Sequence, residues 1–343
     1  MRIHLVTAVW GEAFTQLYLS TCLPNQMTSS NLPALAAGAA PVYKVYTRSQ
    51  DAAVIAAAPA FRQLAAMIPT EVIALDHLFA SSSHSDNALL TMTACHRAAV
   101  DAANHARAAL MILPPDQIYS DGTFARCLEW GLRGCGAVVV PGIRLNKEGC
   151  EPLLSGRATN RSAVLGASGR SLLAWSMPRL SAIARAMFVD ADPFSNAPTH
   201  VYFPVGDEGF VARCLHLHVL FINPRRRVPL RYGNFDTDYL LDACPSLEDY
   251  HVVGDSDEML AVEFSPAGKQ LGQAGAGRID TRTLAAFYRL HGNRLHRGFL
   301  QAPIFMHTGD LTPRWREVAR RSGDVVGRAL PPWSRLMMRV RGS

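Results

Sequence analysis

The chain has 343 residues, 49% of them hydrophobic and 18% charged, with a formal net charge of +6 and a mean hydropathy of +0.06. That balance excludes a disordered chain, and no apolar run approaches the roughly 20 residues that span a bilayer. The basic excess points to phosphate-bearing ligands or an anionic membrane face, whereas nucleic acid is not expected, because basic residues do not alternate with aromatics on any one element.

The predicted elements begin with a short apolar strand at 3–9, which does not continue into the long apolar region of a secretory signal. Seven scattered cysteines without a CxxC pair fit reduced, structural thiols, so the cytosol is the expected compartment. A helix over 12–23 follows, then a strand at 41–47 and another at 72–75. The polar run 81–87 reads as a loop and helix cap. It leads into a helix over 88–106 with its apolar face on Leu89, Met92, Ala99, Val100 and Ala103, and then a strand at 108–113 that stops at Pro114 and Pro115. An acidic loop at 116–122, a helix at 123–132 and a strand at 137–140 complete a βα alternation of the kind that builds a mainly parallel sheet. Beyond Asn146, residues 151–193 read as helical, 201–203, 210–222 and 251–253 as strands, and 280–290 as a helix leading to a tail that holds Trp315 and Trp333. The expected division is therefore 1–146 and 147–343.

In such a sheet, ligands bind beyond the carboxyl ends of the strands. Asp116 and Asp121 stand there, although turn and cap roles are open to both. In the second half, His216 and His218 would face one way from a strand and could share a metal or flank a phosphate. Asp236 and Asp238 would share a face if extended, and Asp255 and Asp257 follow a strand. His307 is of the kind that completes a metal site late in a chain, though a loop histidine with satisfied hydrogen bonds is the simpler expectation. Gly275-Ala276-Gly277 lacks a preceding strand and a lysine, so it reads as a flexible loop rather than a phosphate cradle.

The run Leu113-Pro114-Pro115-Asp116-Gln117-Ile118-Tyr119-Ser120-Asp121-Gly122-Thr123-Phe124 resembles the metal-binding segment of GT-A glycosyltransferases, family 2 in particular, with Pro114 in place of the first acidic residue. The helix carrying His96 and Arg97, the segment from Val6 to Trp10 and the segment from Thr47 to Asp51 extend the resemblance over about the first 145 residues. It implies a GT-A mixed sheet flanked by helices, followed by a C-terminal α+β extension. It also implies transfer of a sugar from a nucleotide-diphosphate donor to a bacterial glycan or glycolipid acceptor, as in polysaccharide biosynthesis. By that resemblance Thr7, Val9, Arg48, Arg97, Asp116 and Asp121 would bind the donor, and Asp116 would hold a divalent cation, Mn²⁺ or Mg²⁺. A general base would come from Asp236, Asp238, Asp255 or Asp257. The basic, apolar segment 333–341 suggests peripheral contact with the inner membrane. Two other readings stay open: a non-catalytic binding or scaffold protein, and a metal-dependent hydrolase built on His216, His218 and the acidic clusters.

Overall fold

The computed structural model describes residues 1–79, 88–231, 235–236, 238–267 and 277–330. The predicted cap at 81–87, Gly275, Ala276 and the basic segment 333–341 lie outside them. Among the described residues, no helix is long and apolar enough to cross a membrane.

Six strands come early in the chain, with helices between all but β4 and β5: β1 (Arg2–Ala8), β2 (Ala40–Thr47), β3 (Thr70–Ala74), β4 (Ala109–Ile112), β5 (Gln117–Tyr119) and β6 (Ala137–Val140). Later come β7 (Gly142–Asn146), β8 (His200–Pro204), β9 (Gly209–Cys214), β10 (His218–Ile222), β11 (Tyr250–Val252), β12 (Ala261–Ser265) and β13 (Ile304–His307). A seven-stranded sheet runs in the order β11-β6-β10-β4-β1-β2-β3. β1 is parallel to β2 and β4, and β2 to β3, while β10 enters antiparallel to β4. The fold is thus mixed α/β. All of β4 is buried, which is why it reads as a continuous apolar run rather than an alternating one.

Contacts divide the chain into two compact units. The first comprises 1–138, 152–166 and 219–250, and the second 139–151, 167–218 and the described residues from 251 onward. The expected boundary at Asn146 lies inside a stretch of the second unit. The chain returns to the first because β10 pairs beside β4 (Phe221 with Met111), a long-range insertion that local alternation does not reveal.

In the first unit, the predicted helix at 12–23 is an α-helix (Glu12–Leu17), a π-helical turn (Tyr18–Cys22) and a further α-turn (Leu23–Gln26). Pro24 has no N–H to give a preceding carbonyl. The Ser20 carbonyl accepts instead from the Arg161 guanidinium. The helix Ala88–Ala106 has the predicted bounds and, apart from Leu89, most of the predicted face. Thr91, Cys95, His96, Ala99, Val100 and Ala103 are buried, while Leu89 is 51% exposed. The buried stripe steps by four residues from 91, and Leu89 lies off it.

His96 on that helix packs edge-on to Phe235, and burial pushes its pKa down to about 4. The folded state therefore keeps this imidazole neutral, while the unfolded chain takes up a proton below its ordinary value of 6.5. Stability must fall as pH drops from 6.5 to 4, by up to about 1.4 kcal/mol per pH unit for this one group. His4, His200 and His216, also lowered mainly by burial, act with the same sign. Urea melts at pH 7 and pH 5 should show the loss, and His96→Leu should remove one proton's share of it. An unchanged slope in that variant would exclude His96 as a contributor.

In the second unit, β8, β9 and β13 form an antiparallel sheet, with Gly209 opposite His307. Helices Thr281–His291, Arg294–Gln301 and Pro313–Ala329 accompany it. Phe203, Val211, Leu215, Tyr288, Leu300 and Trp315 share its core. Two expectations change here. The predicted tail around Trp315 is a long helix beginning at Pro313, where the missing N–H costs no helical bond. The predicted strand at 210–222 is broken at 215–217 into β9 and β10. Residues 151–193, expected to be helical, hold a series of short helices and turns.

Candidate metal centre

The second unit assembles a compact polar group after β11 and at the end of β13. The turn carrying Asp255, Ser256 and Asp257 is fastened to β13 by backbone bonds: Phe305 N–H to the Gly254 carbonyl at 2.8 Å and Ser256 N–H to the Phe305 carbonyl at 2.9 Å. Ser256 is fully buried, and its hydroxyl accepts the His307 N–H at 3.1 Å. The helix Gly169–Ser176, capped by Ser168, closes on the same turn. A Cβ at position 169 would stand 1.8 Å from the Ser256 carbonyl oxygen, and only glycine leaves room for that backbone. Gly169→Ala should therefore displace the turn and cost roughly 1–3 kcal/mol. A chemical melt checks this, and an unchanged midpoint would contradict the packing described.

The side chains converge. His307 Nε2 lies 2.8 Å from Asp255 Oδ1 and 3.9 Å from Asp257 Oδ2. Its Nδ1 faces the Gly309 carbonyl, so that nitrogen carries a proton. Asp255 Oδ1 also accepts the Asp257 N–H at 2.7 Å. Arg170 Nε donates to Asp257 Oδ2 at 2.6 Å, and its Nη1 donates to Asp310 Oδ1 at 2.7 Å. The His307 side chain is 2% exposed, those of Asp255 and Asp257 about a third. Burial disfavours the imidazolium, but the Asp255 hydrogen bond, the Gly309 carbonyl and the two carboxylate charges outweigh it, so His307 titrates above its ordinary range. Burial also disfavours the Asp255 anion. The His307 hydrogen bond, the Asp257 N–H and the His307 and Arg170 charges prevail, leaving its carboxyl below the usual range.

Ligand atoms of Asp255, Asp257 and His307 all lie within 4.8 Å of one another. Among the described residues, they form the one cluster of three or more such groups able to hold a metal ion. The donors suit a cation: two carboxylates with hard oxygens and an imidazole whose orientation is fixed by a carbonyl on its other nitrogen. Trp315 stands edge-on to His307, with ring centres 5.8 Å apart, and its indole N–H donates to Glu208 at 3.2 Å. The Glu208 carbonyl takes the Thr308 N–H at 2.9 Å, so the residue following His307 is tied down as well.

The other sequence candidates are distributed differently. His216 falls in the break between β9 and β10, so it and His218 do not share a strand face. The His216 ring lies 4.4 Å from that of His296, and burial, then the His296 and His291 charges, push its pKa down to about 4. Asp236 sits in a turn and Asp238 opens the helix Asp238–Ala243. The extended run that would have put them on one face is therefore not there. Thr7 is fully buried, with its hydroxyl donating to the Leu113 carbonyl and bonded to Tyr43, and Val9 is buried too. Arg97 donates to the carbonyls of Leu230 and Arg231. Arg48, half-buried, precedes the helix Ser49–Ala57. Asp116 is half-buried in the turn between β4 and β5, and Asp121 is half-buried in the turn before Gly122, whose φ is 80°.

His307, the late histidine of the kind that completes a metal site, is the one that joins both carboxylates. Its signal was Asp255-Ser256-Asp257 after one strand and a histidine at the end of another. Only the pairing of those segments, some fifty residues apart, reveals the site. No family model matches the chain, and no curated protein matches it.

Proposed function

We propose that this chain is a divalent-cation-dependent glycosyltransferase. It would move a sugar from a nucleotide-diphosphate donor to a glycan or glycolipid acceptor, with Mn²⁺ or Mg²⁺ held by Asp255, Asp257 and His307. The convergence of those three side chains carries the reading. The mixed α/β fold supports it. A bound divalent cation would offset charge on the departing nucleoside diphosphate. Asp255 and Asp257 supply hard oxygens, and Gly309 fixes the imidazole of His307. Because Asp255 is held below the ordinary carboxylate range, it is a weak proton acceptor and better suited to metal binding than to general base catalysis. Peripheral contact with the inner membrane rests on residues 333–341, and co-sedimentation with anionic vesicles of a chain ending at Leu330 tests it.

The decisive assay is release of nucleoside diphosphate from uridine, guanosine, cytidine and thymidine diphosphate sugars, with Mn²⁺ or with EDTA. Turnover of one donor that requires the cation and disappears in Asp257→Ala is expected. Turnover indifferent to EDTA and to that substitution would overturn the metal role. The imidazole in the ligand set also suits a metal-dependent hydrolase. Cation-dependent cleavage of a simple phosphoester, without action on any sugar nucleotide, would select that reading.

A further inference from the structure

We infer that Arg170 is the phosphate-binding arm of this centre, so that its ligand is a cation together with a diphosphate rather than a cation alone. The inference rests on the metal-dependent reading above and specifies what that site accepts. Arg170 stands at the start of the helix Gly169–Ser176, which Gly169 holds against the Asp255–Asp257 turn. It commits Nε to Asp257 and one Nη1 donor to Asp310, whose side chain is 90% exposed. Among the described residues its Nη2 group has no acceptor, and its side chain is 40% exposed.

A guanidinium is always charged and offers its donors in a planar fork that matches phosphate oxygens. Here Asp257 takes Nε and Asp310 takes Nη1, while Nη2 has no acceptor among the described residues. The protein ligands are also too few to enclose a hard cation. Such ions, when bound by one or two carboxylates, complete their shell with water and substrate phosphates. A diphosphate bound to the cation would then meet Arg170 beside Asp257. Asp310, exposed and paired only through Nη1, is the partner that such a ligand would displace.

The test is thermodynamic coupling, measured by titrating Mn²⁺ into the full chain with and without inorganic pyrophosphate. Wild type should bind Mn²⁺ alone, and saturating pyrophosphate should tighten that binding at least about tenfold, a usual size for coupled sites. In Arg170→Gln the Mn²⁺ affinity without pyrophosphate should persist or rise, since Asp257 loses its competing cation, while the coupling falls to within about twofold. Arg170→Lys, which keeps the charge but not the fork, should retain an intermediate coupling. Coupling preserved in Arg170→Gln, or Mn²⁺ binding indifferent to pyrophosphate in wild type, would overturn the Arg170 assignment and leave the metal site intact. Failure of wild type to bind Mn²⁺ at all would overturn the metal reading itself and this inference with it.

Discussion

Trp315→Ala is expected to destabilise the second unit by roughly 3–5 kcal/mol, the range for deleting a buried large aromatic. Trp315 is 1% exposed and belongs to the core with Phe203, Val211 and Leu300. Its ring meets Phe305 and His307 at centre distances of 6.2 and 5.8 Å. Truncation leaves a cavity beneath β13 and also strips the Glu208 carboxylate of its indole donor. Because the same ring supports His307, the variant should lose cation affinity along with stability. Trp315→Phe, which keeps most of the volume but not the N–H, should recover the larger part of both. Chemical denaturation followed by circular dichroism measures the effect, and a loss within the few tenths of a kcal/mol typical of surface changes would contradict the packing.

Asp255→Ala should raise the dissociation constant for Mn²⁺ by about 100-fold or more, above the 10–100-fold typical of losing a residue that only supports a ligand. Global stability should change far less than in Trp315→Ala, because the Asp255 side chain is 37% exposed. The substitution also removes the carboxylate that holds His307 above its ordinary range, so the imidazole should titrate lower in the variant. Asp116→Ala is the control. It lies outside the cluster and should leave Mn²⁺ affinity unchanged. Calorimetric titration of both variants separates the alternatives, and the reverse pattern would return the cation to Asp116.

The alternation of apolar strands and helices up to Val140 was legible because each element carries its own period: β4 is apolar throughout, and the helices Ala88–Ala106 and Thr123–Leu132 have the predicted bounds. What depends on pairing between distant segments was not legible. β10 inserts beside β4 across more than a hundred residues, and the break at 215–217 lies inside a run of strand-forming residues, so His216 and His218 looked like neighbours on a face. The candidate centre was half visible. Asp255 and Asp257 stood out as acidic residues after a strand. His307 was visible as a possible late ligand but its partners were not, because they follow from the backbone bonds that join Gly254 and Ser256 to Phe305. Arg170 was invisible for the same reason, since Gly169 looks like any glycine until Ser256 is placed against it.

Thermal-shift measurement of the wild-type chain against uridine, guanosine, cytidine and thymidine diphosphates, each with and without Mn²⁺, addresses the central claim most directly when Asp255→Ala and Asp116→Ala are run alongside. A Mn²⁺-dependent rise with one nucleotide, lost in Asp255→Ala and kept in Asp116→Ala, is the predicted result. No response to any nucleotide, or a response lost only in Asp116→Ala, would contradict a cation centre at Asp255, Asp257 and His307 serving a nucleotide-sugar transferase.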